Sequence, residues 1–184
     1  IILAAILVFA AVLLLNTSLQ TRNARKLEGQ HPTFTDSELE VYGKTFSRML
    51  RCATVSVKDS YDDTEFAKLR QVVEEDFPLL HKSAEHQLLS DDCWLYKIPG
   101  KNPSRNILLM SHHNVVPATE KENWDYPPFE GRIVDGKIYG RGTADTKGSL
   151  YGELEALEQL LQNGYVPTCN VWIGSSCNEE TGGN

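Results

Sequence analysis

The chain has 184 residues, of which 41% are apolar, and a formal net charge of −7. This length and apolar content suit one globular unit and are short for two domains. The acidic balance excludes nucleic-acid binding, because that class of protein needs a basic face to neutralise phosphates. The four cysteines are far apart and form no C-x-x-C, so they indicate neither a zinc ribbon nor a dense disulfide framework. They are expected to be small buried residues.

The N-terminal stretch, residues 1–15, is IILAAILVFAAVLLL, fifteen uninterrupted apolar residues. A helix that crosses a bilayer needs about twenty such residues. A core helix of this length would normally show a polar face, which is missing here. The pattern therefore predicts a transmembrane segment that is truncated at its start. A cleaved signal peptide is the alternative, although no small-x-small cleavage site follows the apolar run.

The predicted anchor indicates a single-pass membrane protein. The start at Ile1 within the apolar run and the turn-like NEETGGN at the other end lead us to expect that the chain is a fragment of a longer product. The basic residues Arg22, Arg25 and Lys26 argue that their own side of the membrane is cytoplasmic. Charges upstream of the sequence could reverse that orientation. The topology is therefore left open, with an extracytoplasmic catalytic domain favoured.

The folded region is predicted to begin after a linker. Residues 16–34 are polar and show no periodicity, which is typical of a juxtamembrane linker, and residues 35–184 form the domain. The domain opens with two helices. The first follows cap residues at Thr35 to Ser37. The second has an apolar face formed by Phe66, Leu69 and Val73.

Strands and one long helix follow. Residues 93–98 and 106–112 predict strands, and the second is a nearly continuous apolar run, typical of a strand covered on both faces. Residues 147–164 predict the clearest helix, and residues 169–177 another strand. The helix carries an apolar stripe and ends at a glycine: Leu150, Leu154, Leu157, Leu161 and Gly164. The order predicts an α/β fold with a mixed, mostly parallel sheet covered by helices on both faces.

Polar side chains stand at the ends of these strands and before the long helix. His112 ends one strand, Asp145 precedes the helix, and Glu179 and Glu180 follow the last strand. Ligands bind at the carboxyl ends of strands in such sheets, and these nitrogen and oxygen atoms are ones that zinc accepts. Taken singly, the histidine is more often a surface residue, the glutamates a solvated turn and Asp145 a helix N-cap. Their order and spacing favour metal-assisted hydrolysis.

Four stretches occur in the order of a known family. They are HHNVVP at 112–117, WDYPPF at 124–129, IVDGKIYGRGTADTKG at 133–148 and NEETGG at 178–183. From about residue 34 to its end, the chain resembles the co-catalytic zinc peptidases, which include aminoacylases, dipeptidases and glutamate carboxypeptidase. The long helix is most similar to the branch of carboxypeptidase S, Gly-Xaa carboxypeptidases and N-acyl-amino-acid hydrolases. Members of that branch often carry an N-terminal membrane segment.

The resemblance implies a role for each site residue. His112 is implied as a ligand of one zinc, Asp145 as the carboxylate that bridges two zincs, and Glu180 as a ligand of the other. Glu179 is implied as the general base that takes a proton from water and passes it to the leaving amine. The substrate would be a short peptide or an N-acyl amino acid with a free carboxylate. The nitrogen and oxygen ligands also suit manganese or cobalt.

The resemblance also implies what lies outside the chain. Residues 35–184 correspond to the N-terminal part of a zinc-exopeptidase-like catalytic domain that is incomplete at its C-terminus. Two further ligands, an acidic residue and a histidine, are expected downstream, with a domain through which family members form homodimers. This leaves three hypotheses open: a membrane-anchored zinc amidohydrolase, a catalytically weakened or dead homologue that only binds such ligands, and a truncated fragment without activity.

Two departures from the family pattern motivate the second hypothesis. Asn114 replaces the aspartate that follows the ligand histidine by two residues, and Asn178 replaces the acidic residue before the glutamate pair. Asn114 is expected to orient His112 by accepting a hydrogen bond through its amide oxygen, without the charge. Loss of such partners typically costs about 10- to 100-fold in metal affinity or activity. His113 is an alternative ligand, but alternation along a strand predicts that it faces away from His112.

Overall fold

The computed structural model describes residues 2–26, 33–58, 60–89, 92–119 and 123–183. The chain divides into two units, Ile1–Asp36 and Ser37–Asn184. The second unit contains the sheet and the candidate site.

In the first unit the described residues form one long helix, α1, which spans Ile2–Lys26. Within it, Leu3–Thr21 is long and apolar enough to cross a membrane by length and composition, a test that a signal sequence also passes. We expected a linker from residue 16, but the helix continues to Lys26. The reason is that residues 16–26 contain neither glycine nor proline, so no residue breaks the helix. Residues 27–32 of the predicted linker lie outside the described residues.

Four further α-helices are found in the described residues: α2 at Asp36–Leu50, α3 at Asp63–Asp76, α4 at Pro78–Ser83 and α5 at Lys147–Gln162. Three of them confirm the predicted helices. The side chain of Asp62 accepts a hydrogen bond from the backbone N–H of Thr64 and so caps the N-terminus of α3. The short α4 was not predicted, although Pro78 stands at its first turn, where proline suits a helix start.

Eight strands are described. They are β1 at Ser56–Val57, β2 at Ser60–Tyr61, β3 at Glu85–Leu88, β4 at Trp94–Ile98, β5 at Asn102–His112, β6 at Arg132–Val134, β7 at Lys137–Tyr139 and β8 at Cys169–Ser176. Strands β4, β5 and β8 confirm the three predicted strands. The main sheet has four strands in the order β3-β4-β8-β5. The two other pairs, β1 with β2 and β6 with β7, are small antiparallel ribbons.

The sheet is mixed, as predicted, but the expectation that it is mostly parallel is wrong for the described strands. Strands β3 and β4 pair antiparallel, as do β4 and β8, and only β5 and β8 pair in parallel. Parallel neighbours need a crossover of about a dozen residues or more. The connections from β3 to β4 and from β4 to β5 are too short for one, whereas α5 lies in the connection between β5 and β8.

One face of the sheet packs against the helices. In β4 alternate side chains are buried, and α5 contributes the leucine stripe predicted from the sequence. The core contains aromatic and aliphatic side chains from α2, α3, α5, β4 and β8 and from the junction of α3 and α4, including Phe46, Leu50, Leu69, Val73, Phe77, Trp94, Leu150, Leu154 and Ile173. Burial of these side chains is the main stabilising contribution to the fold.

The predicted cover on both faces of β5 is not seen among the described residues. The side chains of Ile107, Leu108 and Met110 are each more than half exposed. Within the described sheet β5 is an edge strand with β8 as its single neighbour. An apolar edge strand is the type of surface that normally pairs with, or is covered by, further structure.

Candidate metal centre

The candidate site lies where the two parallel strands of the sheet end. His112 is the last residue of β5 and pairs with Ser176, the last residue of β8. Parallel strands have their carboxyl ends on the same edge of a sheet, so the segments that follow β5 and β8 emerge side by side. The start of α5 approaches the same edge.

His112 is fixed through its backbone by a neighbour from the start of α5. The N–H of His112 donates to the hydroxyl of Thr146 at 3.0 Å, and the same hydroxyl donates to the carbonyl of His112 at 3.0 Å. A hydroxyl can donate and accept at the same time, so Thr146 satisfies both backbone groups. Because Asp145 directly precedes Thr146, this contact also sets the distance between the histidine and the aspartate.

The imidazole of His112 contacts polar groups at both ring nitrogens. Nδ1 lies 3.0 Å from the backbone oxygen of Asn114, and Nε2 lies 2.9 Å from Oδ1 of Asp145 and 3.5 Å from Oε2 of Glu179. A carbonyl can only accept, so Nδ1 carries the proton in the neutral ring and Nε2 carries a lone pair. That lone pair faces carboxylate oxygens, an arrangement that a cation or a proton satisfies.

Glu179 and Glu180 belong to a single turn after β8. Residues Glu179–Thr181 form a 3₁₀ helix, and the N–H groups of Gly182 and Gly183 return to the carbonyls of Glu179 and Asn178 at 3.0 Å each. Both glycines have positive φ, 103° and 56°, a region in which other residues are strained. The Asn178 side chain accepts from Ser176 Oγ at 2.9 Å. Asn178 thus shapes this turn.

The residues predicted as metal ligands come together in the structure. Ligand atoms of His112, Asp145 and Glu180 all lie within 4.8 Å of one another. Zinc bonds to nitrogen and oxygen are about 2.0 to 2.2 Å long, so ligand atoms around one ion lie roughly 3 to 4 Å apart. One imidazole and carboxylates are also a donor set that zinc accepts. The donor set therefore suits a metal ion at this edge of the sheet, and the spacing of up to 4.8 Å is wider than the ligands of a single bound ion would show.

Asp145 is not a helix cap. The N-cap of α5 is Thr146, and the Asp145 carboxylate is 73% exposed and reaches towards His112. The aspartate therefore lies free of the helix backbone, with its charge directed at the histidine.

The structure assigns the neighbours of His112 differently from the sequence. Asn114 contacts the imidazole through its backbone oxygen, whereas the amide oxygen and nitrogen of its buried side chain have no hydrogen-bond partner among the described residues. The orienting contact expected of the amide is therefore made by the main chain. This contact is independent of the residue type at position 114.

His113 points away from the site, as alternation along the strand predicts. Its ring is fully buried, stacks on Trp94 at 4.2 Å and meets Phe66 edge-on at 5.5 Å. Nδ1 lies 2.8 Å from Ser175 Oγ. Burial lowers the pKa of His113 well below the usual value, so the ring is neutral. His113 is a core residue.

Sequence reasoning missed two residues beside Asp145. One is Thr146, described above. The other is Lys147, whose fully buried ammonium donates to the backbone carbonyls of Met49 and Cys52, at 3.3 Å and 2.5 Å. Burial lowers its pKa to about 8. Lys147 thereby joins the start of α5 to the last turn of α2 and the segment after it. Both residues lie within the family-like stretch at 133–148, but the sequence does not show what they contact, because their partners lie far away in the chain.

The fold and the site together define a class: a mixed α/β protein with a histidine and carboxylate centre at the carboxyl ends of a parallel strand pair. Comparisons with known proteins show which proteins this chain is similar to. Residues 108–184 match the sequence profile of Peptidase family M20/M25/M40. The chain is 33% identical to the probable carboxypeptidase S-like 2 of Dictyostelium discoideum over 182 residues, 94% of this chain and 35% of that protein. Residues 108–184 thus carry a peptidase M20 domain.

Two further comparisons agree. The chain is 32% identical to the human N-fatty-acyl-amino acid synthase/hydrolase PM20D1, over 97% of this chain and 38% of that protein. Among solved structures, the M20 family metallo-carboxypeptidase Sso-CP2 from Sulfolobus solfataricus matches with a TM-score of 0.64 and 26% identity, over 77% of this chain and 31% of that one. The chain thus spans about a third of the length of the relatives it matches.

Proposed function

We propose that the intact protein is a zinc-dependent hydrolase of amide bonds next to a free carboxylate, acting on short peptides or N-acyl amino acids. The observation that carries the proposal is the convergence of His112, Asp145 and Glu180, with the carboxylate of Glu179 beside them. The names of the relatives support the substrate class, since they include a carboxypeptidase S-like protein and an N-fatty-acyl-amino acid synthase/hydrolase.

The proposed role of each residue follows from its surroundings. His112 offers Nε2 because Nδ1 is occupied by the backbone oxygen of Asn114. Asp145 and Glu180 would supply the carboxylates that hold metal, and Asp145 is proposed as the carboxylate shared by two ions. A bound zinc supplies Lewis acidity and lowers the pKa of a bound water.

Glu179 is proposed as the general base. It is exposed, its carboxylate lies in the same cluster, and the ligand group can form without it. Its carboxylate would accept the proton of the attacking water and deliver it to the nitrogen of the leaving amine. Neighbouring glutamates on a tight turn direct their side chains differently, which leaves one for metal and one for substrate.

The rest of the centre is proposed to come from the longer protein. Two zinc ions per site, with manganese or cobalt as substitutes, would need a further acidic residue and a histidine outside this chain. The same downstream structure is proposed to pair with the apolar edge strand β5, to cover the second face of the sheet and to supply a homodimer interface.

The second candidate is a homologue that binds peptides or acyl-amino acids without turning them over. The observation that favours it is the loss of two acidic residues at Asn114 and Asn178. Against it, the imidazole keeps an oxygen partner through the backbone, and Asn178 keeps the turn that holds Glu179 and Glu180.

The test uses the full-length protein, a metal analysis and a panel of N-acyl amino acids and dipeptides. We expect bound zinc, hydrolysis of members of the panel, loss of activity with a chelator and recovery on adding zinc. Bound zinc and bound substrate without turnover would favour the binding-only candidate. Hydrolysis that survives removal of all metal would contradict both.

The N-terminal helix is proposed as a single-pass membrane anchor that includes residues 1–15, with the catalytic domain on the extracytoplasmic side. Its length and composition support this. Carbonate extraction of membranes carrying the full-length protein should leave it in the pellet. Recovery of a shortened product in the soluble fraction would instead identify a cleaved signal sequence.

A further inference from the structure

Two cysteines lie together at the base of the turn that carries the glutamates. Cys93 directly precedes β4, and Cys177 directly follows β8, the strand that pairs with β4. Their sulfur atoms are 3.3 Å apart, and the N–H of Cys177 donates to the sulfur of Cys93 at 3.5 Å. Both are thiols in this structure.

We infer that Cys93 and Cys177 form a reversible disulfide bond that ties the glutamate turn to the neighbouring strand. The sulfurs must approach by roughly 1.3 Å to reach a bond length of about 2.05 Å, a shift that side-chain rotation on two adjacent strand ends can supply. This inference does not rest on the proposed hydrolytic function, because it concerns the two thiols alone.

The exposure of the two thiols sets the order of the reaction. Cys93 is half-buried and Cys177 is buried, so an oxidant in solution reaches Cys93 first. The Cys93 sulfur attacks one sulfur of a low-molecular-weight disulfide such as oxidised glutathione and releases one small thiol. The Cys177 sulfur then attacks the Cys93 sulfur of the mixed disulfide and releases the second small thiol. The two cysteines lose two protons and two electrons, which appear in the two small thiols.

The disulfide would restrain the turn directly, because the turn begins at the residue after Cys177. Cys177 is followed by Asn178, whose carbonyl receives the N–H groups of Thr181 and Gly183. The carbonyl of Cys177 itself accepts a hydrogen bond from Ser56 Oγ at 2.8 Å. These contacts already hold the base of the turn at two points. A disulfide adds a covalent link from the same residue to β4, so the segment 178–183 would open less often.

The experiment treats the full-length native protein with oxidised glutathione, blocks remaining thiols after denaturation and identifies cysteine peptides by mass spectrometry. We expect a cross-linked Cys93–Cys177 peptide as the main disulfide product, lost on treatment with a reductant. Cys169→Ser is the matched control, because Cys169 is a buried cysteine at the other end of β8, and it should leave the cross-link intact. Cys93→Ser should abolish it.

Hydrogen exchange gives a second measurement on the same samples. Amides in 178–183 should exchange more slowly in the oxidised protein, and this difference should disappear in Cys93→Ser. Recovery of Cys93 and Cys177 as separately blocked thiols, or as mixed disulfides without a cross-link, would overturn the inference. A cross-link without slower exchange would overturn its effect on the turn.

Discussion

The imidazole and the carboxylates of the candidate metal centre are held in different ways. The His112 side chain is 7% exposed, has contacts at both ring nitrogens, and its backbone is bound by Thr146. The carboxylates of Asp145 and Glu179 are 73% and 60% exposed. The sheet therefore fixes the proposed imidazole ligand in advance, whereas the exposed carboxylates would rely on a bound cation to offset their mutual repulsion. Substitutions of the carboxylates should lower metal affinity, and substitutions around the buried histidine should also lower the free energy of unfolding.

The largest effect is expected at Asp145. Asp145→Ala in the full-length protein should lose both bound metal and activity, because the bridging carboxylate is proposed to contact both ions. Its exposed position means that the free energy of unfolding should change little. Metal analysis after desalting measures the first effect. Asp63→Ala, at an exposed aspartate outside the site, is the control. Retention of two equivalents of zinc by Asp145→Ala would show that the bridging role is wrong.

The adjacent histidines should separate metal binding from stability. His112→Ala should lose metal with a modest change in stability. His113→Ala should lower the free energy of unfolding by about 2 to 4 kcal/mol, since it leaves a cavity between Trp94 and Phe66, while the folded variant keeps its metal. Urea unfolding and metal titration on both variants provide the comparison. Loss of metal from folded His113→Ala would show that His112 had been assigned the ligand role in error.

Thr146 should matter as a positioning residue. Thr146→Val keeps the shape of the side chain but removes the hydroxyl that holds the backbone of His112. We expect metal affinity to fall by about 10- to 100-fold, the usual cost of losing a group that orients a ligand. Thr143→Val is the matched control, because that hydroxyl donates to the backbone of Gly140 and not to a site residue. Equal metal affinities for the two variants would show that Thr146 does not position His112.

The smallest effect on metal is expected at Asn114. The sequence suggests that Asn114→Asp would tighten metal binding by about 10-fold, by restoring a charge behind His112. In the structure the backbone oxygen makes that contact, and the side-chain amide is buried without a partner. We therefore expect affinity to stay nearly constant and stability to fall, because the new carboxylate is buried without a hydrogen bond. A tenfold gain in affinity would mean that the side chain, and not the main chain, orients His112.

Elements with a strong local pattern could be predicted from the sequence. The leucine stripe of α5 predicts a helix and the apolar run of β5 predicts a strand, and both are observed. The strand pairing could not be predicted in the same way, because β8 inserts between β4 and β5, which are consecutive in the chain. Register and strand order depend on contacts between distant residues.

One missed element did carry a signal. The ribbon of β6 and β7 turns at Asp135 and Gly136, which have φ values of 49° and 72°. Asp-Gly between two short apolar runs is a strong hairpin signal, because both central residues of a type I′ turn need positive φ.

The candidate site could also be predicted only in part. The motif order predicted which residues meet, whereas the contacts of Thr146, Lys147 and the Asn114 backbone needed the fold.

The most direct test of the central claim separates Glu179 from Glu180 in the full-length protein. Glu180→Gln should lose metal, because it removes a ligand. Glu179→Gln should keep its metal and bind substrate, while kcat and kcat/KM fall together by roughly three powers of ten, within the range of general-base contributions. Metal content and steady-state kinetics on the two variants decide the matter. If Glu179→Gln empties the site while Glu180→Gln stays filled but slow, the roles are exchanged; if both variants keep full activity, the metallohydrolase account is contradicted.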